Sequence, residues 1–180
     1  AGDIHYTRVP MSSVANLKDS PPANSMVEEY PSLYYVWVGM NVENELLSNQ
    51  NLRKAIQHAI DVPSIMQASY FGAAVPSTGI IAPGLTGHRA ESLVAPEANV
   101  ARAKEYLDAS GLSGNVRVTL DILNKAANVT TAQVIQANLA QVGITLDINL
   151  HESGAFWSLG DDTAGDRYKD IQLILNRYSM

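Results

Sequence analysis

The clearest pattern of apolar and polar positions lies in residues 46–72, where apolar side chains recur at helical spacing. Every third or fourth residue is apolar over residues 51–60, which predicts an amphipathic helix with one buried face. Asp61 then takes a position typical of an N-cap, and Pro63 follows where a helix tolerates the loss of an N–H group. Gly72 is placed to end this second helix. The buried side of the second helix is predicted to contain Ile65, Met66 and Tyr70.

Shorter segments have the pattern of β-strands. Residues 116–122 and 144–150 alternate apolar and polar side chains, which predicts strands with one buried face. Residues 33–40 are apolar and aromatic on both faces, so we predict a buried central strand there. Two further short strands are predicted at residues 3–8 and 171–175.

Helices are predicted between these strands. Asn99 is a candidate cap for a helix over residues 100–110. Thr130 with Gln133 has the spacing of a capping box for a helix that ends at Gly143. The order of strand, helix and strand favours a parallel, right-handed crossover. The whole chain is therefore predicted to be one α/β lobe, with a mixed sheet flanked by helices.

Composition narrows the classes of function. The 180-residue chain is 46% apolar and 17% charged, as is typical of a soluble globular core. It contains no cysteine, which excludes disulfides, thiolate metal sites and a cysteine nucleophile. Its net charge of −6 argues against nucleic acid as a partner, because the phosphates would be repelled. Because the sequence opens directly with Ala1, we expect no signal peptide within it, and no apolar run approaches the roughly 20 residues that span a bilayer.

No known arrangement of catalytic or metal-binding residues is visible. None of the four histidines is spaced from another histidine or a carboxylate as in a metal site: His5, His58, His88 and His151. The sequence also lacks a Gly-x-Ser-x-Gly elbow, a Ser-x-x-Lys pair and a phosphate-binding glycine loop. We therefore expect no metal, no cofactor and no enzymatic activity.

The residues around the first predicted helix resemble a known family. After a strand that ends at Asn41, residues 51–56 read Asn-Leu-Arg-Lys-Ala-Ile and residues 59–61 read Ala-Ile-Asp. This is similar to the Val-Arg-Gln-Ala-Ile and Ala-Ile-Asp-Arg of the extracellular solute-binding proteins of the peptide and nickel class, which are the receptors of ABC importers. Residues 72–84 and the predicted helix at residues 103–111 resemble corresponding segments of the same family.

The resemblance implies the second lobe of a two-lobed receptor, with residues 1–180 as one lobe and residues 1–9 and 176–180 near the hinge between the lobes. It implies binding without catalysis. Closure of the hinge traps a small solute, a peptide before other classes, and the closed form docks on the membrane permease subunits of an ABC importer. The missing first lobe of the same chain is then a partner. The implied location is periplasmic or extracellular, with membrane association through the transporter.

The resemblance and the predicted sheet indicate the same candidate ligand contacts. Tyr178 lies at the carboxyl end of the predicted last strand, where open α/β sheets bind ligands, and it takes the position of a Trp or Tyr of the family. Asn176 and Arg177 precede it. Arg177 is either a partner for a ligand carboxylate or a solvated surface residue. Tyr34 and Gly79, the latter in a long loop rich in glycine and proline, complete the predicted site.

Two other classes of function stay open. The same lobe can be fused to a DNA-binding domain as a ligand-sensing or interaction module. A helix–turn–helix in the missing part of the parent protein would favour the sensor, and a signal peptide would favour the transporter. The other class is an α/β enzyme, which a deep pocket with a carboxylate or histidine of strongly perturbed pKa would favour. The sequence does not choose among peptides, nickel chelates, haem and oligosaccharides as the ligand.

Overall fold

The computed structural model describes residues 5–30, 32–112, 115–161 and 168–179, with the backbone alone at its last two residues. Within these ranges helices and strands follow one another in this order: α1 (Met11–Asp19), β1 (Tyr34–Met40), α2 (Gln50–Ala59), α3 (Val62–Tyr70), α4 (Val100–Ala109), β2 (Val116–Leu123), α5 (Ala126–Ala140), β3 (Ile144–His151), α6 (Ser153–Trp157) and β4 (Leu173–Ser179).

The described strands form one mixed sheet in the order β1-β4-β2-β3. Strand β2 runs parallel to both of its neighbours, β3 and β4, whereas β1 is antiparallel to β4. The unit β2–α5–β3 is the strand–helix–strand unit that the sequence predicted, and its strands are parallel. The predicted fold class is therefore confirmed: an α/β chain with a mixed sheet and helices packed on it.

One face of the sheet carries the hydrophobic core. Alternate residues of β2 and β4 point to this face, and Leu120, Leu173 and Leu175 are at most 2% exposed. These side chains form one buried cluster with apolar residues of α2 and α5: Leu52, Ile56, Ile135 and Leu139. Helix α5 packs on β2 and β3, α3 packs on α5, and α2 packs on α4. Each buried leucine or isoleucine stabilises this packing by about 1.5–3 kcal/mol relative to an exposed one.

Strand β1 lies at the edge of the sheet, and the prediction of a buried central strand over residues 33–40 is wrong. Among the described strands, β1 pairs with β4 alone. Tyr34 and Val36 are 56% and 37% exposed. The polar groups of tyrosine and tryptophan side chains tolerate contact with water, so these residues also occur in exposed strands. A run of apolar and aromatic residues on both faces therefore fits an edge strand as well as a central strand.

Helix α5 begins one turn before the predicted capping box at Thr130, so that prediction is wrong as well. Only Asn124 and Lys125 separate β2 from α5. The Lys125 N–H donates to the Leu123 carbonyl at 2.7 Å. The Asn128 side-chain amide donates to the same carbonyl at 3.2 Å. The tight turn fixes the start of the helix without a side-chain cap, and the capping pattern falls inside the helix.

The two ends of the chain also differ from the prediction. The strand predicted at residues 171–175 runs on to Ser179, because β1 continues to pair with it. Residues 5–8 belong to no strand, and residues 3–4 of the predicted first strand lie outside the described residues. The last three predicted ligand contacts therefore lie inside β4 and not after it: Asn176, Arg177 and Tyr178.

Asp61 joins the corner between α2 and α3 to the end of the long loop before α4. Its Oδ2 accepts from the Ser64 N–H at 3.0 Å, so Asp61 caps α3 as predicted. Its Oδ1 accepts from the Ala98 N–H, also at 3.0 Å. Hydrogen bonds from the Ser64 side chain and from these backbone N–H groups hold the pKa of Asp61 below its ordinary value.

We expect Asp61→Ala to lower the free energy of unfolding by about 1 kcal/mol at neutral pH, the usual effect of losing an N-cap. Because the folded-state pKa is lowered, the carboxylate contributes fully above the ordinary carboxyl pKa. Its contribution is lost as the pH falls through the lower folded-state value. The difference between wild type and variant in urea denaturation should therefore narrow between about pH 5 and pH 2.

Asp108→Ala is the matched control, since Asp108 is an exposed carboxylate on α4. It should change the unfolding free energy by less than about 0.5 kcal/mol. A difference between wild type and Asp61→Ala that stays constant down to pH 2 would contradict the assigned role of the Asp61 carboxylate.

Candidate functional site

The carboxyl ends of β2, β3 and β4 lie at one edge of the sheet, because the three strands are parallel. Open α/β sheets bind ligands at the carboxyl ends of their strands. We call this side of the sheet the carboxyl edge; it runs across the strand ends and is distinct from an edge strand such as β1. Strand β4 reaches furthest. Its pairing with β2 ends where Leu175 lies opposite Ile122, and residues 176–179 pair only with β1.

Arg177 and Tyr34 meet at the carboxyl edge. Arg177 lies opposite Val36 in the strand pair. Its guanidinium carbon is 5.3 Å from the centroid of the Tyr34 ring, which is close enough for a cation–π attraction. Within the described residues no carboxylate forms a salt bridge with Arg177. The structure thus brings two of the predicted ligand contacts together as a cation and an aromatic ring.

Tyr70, which helical spacing predicted on the buried side of α3, lies at the end of that helix and is half-buried. Its hydroxyl is hydrogen-bonded to the side chain of Thr131 on α5. The Thr131 hydroxyl in turn donates to Ser69 Oγ at 2.8 Å. Burial raises the pKa of Tyr70, while the hydrogen bond and the positive charge of Arg177 act in the opposite direction. The phenol is therefore neutral at physiological pH and lies within the electrostatic reach of Arg177.

The other face of the β1–β4 pair carries Asn176 and Trp37, which lie opposite each other. The Asn176 Oδ1 accepts from the next backbone N–H at 2.7 Å. The Trp37 ring lies over Gly39, where a Cβ atom would be only 2.5 Å from Trp37 Cζ3. Trp37 Nε1 is buried, with no hydrogen-bond partner in the described part of the chain. The backbone of Tyr178 pairs with Tyr35, but the Tyr178 side chain lies outside what the structure describes.

A buried carboxylate lies on this same face, in β2. Asp121 is 6% exposed. Its Oδ1 accepts from the Asn149 amide at 3.2 Å and lies 2.7 Å from His151 Nε2. The parallel register places these groups side by side, with Asp121 opposite Asn149 and Leu123 opposite His151. The Phe156 ring of α6 packs beside them, with its centroid 6.4 Å from that of His151.

Sequence reasoning missed this carboxylate–histidine pair, because Asp121 and His151 are 30 residues apart. A signal was present in the two alternating segments at residues 116–122 and 144–150. Parallel pairing of two such strands places their carboxyl ends together, so their polar residues there become neighbours.

Gly79 lies in the loop between α3 and α4. Its N–H donates to Ser77 Oγ at 3.3 Å, and the Ser77 hydroxyl donates back to the Gly79 carbonyl. The loop leaves α3 beside Tyr70, at the carboxyl edge, and returns to the amino end of the same helix at residues 96–98. The role of Gly79 as a ligand contact stays a prediction.

Comparison with models of protein families shows which family the chain belongs to. Residues 1–174 match the model of bacterial extracellular solute-binding proteins, family 5. The chain belongs to this family. The match includes residues 51–61, on whose sequence the resemblance was based, and it confirms the predicted class of protein.

Several relatives of this family 5 chain are known. The glutathione-binding protein GsiB of Escherichia coli K12 is 28% identical over 125 residues, which are 69% of this chain. The periplasmic binding protein DppA from Helicobacter pylori, in complex with the peptide STSA, shares its fold with a TM-score of 0.76 and 25% identity over 94% of this chain. NikA from Staphylococcus aureus, in complex with Ni(L-His)2, shares the fold with a TM-score of 0.71 and 19% identity over 94% of this chain.

The chain spans about a quarter to a third of the length of these relatives. It covers 24% of GsiB, 31% of DppA and 35% of NikA. The larger part of each of these proteins thus has no counterpart in the 180 residues.

The carboxyl edge of this chain presents polar and charged side chains. It offers a guanidinium, phenol groups and an amide, which bind ligands through charge and hydrogen bonds. Over the described ranges, no cluster of three or more His, Cys, Asp or Glu is placed to hold a metal ion. Over the same ranges, no helix combines the length and the apolarity that a bilayer crossing requires.

Removal of the Asp121 carboxylate should destabilise the fold. Asp121→Ala leaves His151 and Asn149 without their partner at a mostly buried position, and such a loss costs about 1–3 kcal/mol. Asp147→Ala is the matched control on the same face of the sheet. The ion pair of Asp147 with Arg117 is 43% and 63% exposed, and exposed pairs contribute about 1 kcal/mol or less. Urea denaturation measures both changes, and equal losses would argue against a special role of Asp121.

Proposed function

We propose that this chain is part of the substrate-binding component of an ABC importer, which captures a peptide-like or other small solute and delivers it to a membrane permease. The single observation that carries this proposal is the family match over residues 1–174. Solute-binding proteins release their ligand unchanged, so the proposed role is binding and not catalysis.

In the proposed mechanism, residues 1–180 form one lobe, and closure of a hinge traps the solute against a second lobe outside these residues. Residues 1–9 and 176–180 lie near the hinge. The solute shifts the equilibrium toward the closed form because only that form contacts it from both sides. On this lobe the solute contacts the predicted residues: Tyr34, Gly79, Asn176, Arg177 and Tyr178.

The proposed partners follow from this mechanism. They are a small solute, the remaining lobe of the same receptor and the permease subunits of the importer, with a location in the periplasm or outside the cell. Family membership supports all of these. The net charge of −6 disfavours nucleic acid as an additional partner.

A peptide-like solute has the best support among the ligand classes. GsiB is a glutathione-binding protein, and DppA holds the peptide STSA. Peptides carry terminal charges and backbone amides. The carboxyl edge of this chain offers groups that can complement them: the Arg177 guanidinium, the Asn176 amide and the Tyr34 hydroxyl.

A thermal-shift screen of the complete receptor tests the proposal. Candidate ligands are di- to pentapeptides, glutathione, oligosaccharides and metal chelates. A ligand at 100 times its Kd should add about 2.7 kcal/mol to the stability of the folded receptor, which gives a clear rise in Tm. Residues 1–180 alone should show no shift with the same ligand, since one lobe supplies only part of the contacts.

Two outcomes would overturn parts of the proposal. If no compound of any class shifts the complete receptor, the proposed capture of solutes is wrong. If residues 1–180 alone bind a solute as tightly as the complete receptor does, trapping between two lobes is wrong.

A further inference from the structure

We propose that residues 5–30, which we call the arm, dock on the second lobe of the receptor through their apolar side chains. The arm then leaves the body of its own lobe, residues 32–179, and moves with the partner lobe when the hinge closes. This inference rests on the proposed function, because it needs a two-lobed receptor. It adds a contact between the lobes that uses none of the predicted ligand contacts.

The arm has no share in the hydrophobic core of its own lobe. Helix α1 contains no buried residue. Of the described residues, Val38 is the first along the chain that belongs to the core or packs against it. The described hydrogen bonds of arm side chains all close within the arm: Lys18 to Glu29 at 2.8 Å, Ser25 to the Pro22 carbonyl, and Tyr30 to Glu28.

Helix α1 is too short to be stable without packing. It has 9 residues, and isolated helices shorter than about 12–15 residues are marginal in water. Pro10 precedes the helix and provides no side-chain cap. Because packing of an amphipathic face supplies most of the stability of helices in proteins, α1 needs a partner surface. The core of its own lobe does not supply that surface.

The apolar side of α1 is suited to such a contact. Met11, Val14 and Leu17 are three residues apart, so they lie along one side of the helix. Beyond α1 the chain turns back, and Pro21 and Met26 join Leu17 in lining a groove of about 310 Å³ that is open to solvent. This groove fits an apolar side chain of a partner.

Large apolar side chains are exposed along the whole arm. Tyr6, Met11, Met26 and Tyr30 are each more than half exposed. Single apolar residues scattered over a protein surface are ordinary, but a concentration of them in one short segment marks an interaction site.

The path of the chain favours the second lobe as the partner. The arm joins the sheet at Tyr34, which lies opposite Ser179 at the end of β4. It therefore emerges beside residues 176–180, which are proposed to lie near the hinge. The family match includes the arm. Because the chain covers only 24% of GsiB, 31% of DppA and 35% of NikA, such receptors have a larger body on which the arm can pack.

A second copy of the receptor is the competing partner. Covalent linkage holds the second lobe near the arm at an effective concentration of about a millimolar, which separate molecules reach only in concentrated solution. We therefore assign the arm to the second lobe of its own molecule.

Photo-cross-linking in the complete, ligand-free receptor tests this contact. Benzoylphenylalanine takes the place of Met26 in the arm or, as the matched control, of Leu93 in the loop between α3 and α4. The two side chains are similarly exposed, at 77% and 81%. After irradiation, mass spectrometry should find cross-links from position 26 to peptides of the same molecule outside residues 1–180. Position 93 should give little or none of this product.

A charge at the same position should destabilise the complete receptor. We expect Met26→Asp to lower its Tm by about 2 °C or more, since the contact with the second lobe would bury a carboxylate without a partner. Leu93→Asp is the control at an exposed position and should leave the Tm within about 1 °C of wild type.

Three results would overturn the inference. Cross-links from position 26 to residues 32–179 of the same molecule would place the arm on its own lobe. A covalent dimer would identify a second copy as the partner. Equal Tm values for wild type and Met26→Asp, with no more cross-linking at position 26 than at position 93, would show that the arm stays in solvent.

These measurements use no solute, so their outcome is separate from that of the ligand screen. If the arm fails the test and a ligand shifts the complete receptor, the proposed function stands without the inference. If no ligand shifts the receptor, the cross-links still report whether the arm docks.

Discussion

The parallel register of β4 against β2 is the constraint on which the rest of the structure depends. Leu120 lies opposite Leu173 and Ile122 opposite Leu175, and all of them are at most 2% exposed. Because side chains alternate along a strand, a shift by one residue would turn Leu173 and Leu175 away from the core. Each of these side chains contributes about 1.5–3 kcal/mol through burial. Their burial therefore fixes the face on which every later residue of β4 lies.

This alternation separates two groups of opposite charge. Arg177 continues the row of core leucines and emerges where the core ends, whereas Asp121 points to the other face of the sheet. Asp121 is bonded there to His151 and Asn149. The sheet thus keeps the buried carboxylate from neutralising the guanidinium. The positive charge at the carboxyl edge follows from the arrangement of strands, in a chain whose net charge is −6.

Periodicity predicted the elements whose burial follows a regular pattern: α2 and α3 with the Asp61 cap, the strands β2 and β3, and the α/β class. It did not predict that β1 lies at the edge, because apolar residues on both faces fit either position. It placed Arg177 at the carboxyl edge but not against Tyr34, since that contact depends on the pairing of β1 with β4. The bond between Asp121 and His151 depends on the register of distant strands, which local patterns do not encode.

The sheet narrows beyond Leu175, where β4 continues with only β1 beside it. A two-stranded ribbon twists more strongly than a wide sheet. Segments with few buried contacts also open at a lower free-energy cost than the core. Residues 176–179, which include Arg177, are held by β1 alone, whereas Leu173 and Leu175 also pair with β2 and are buried in the core. Displacing Arg177 should therefore cost less free energy than displacing Leu175.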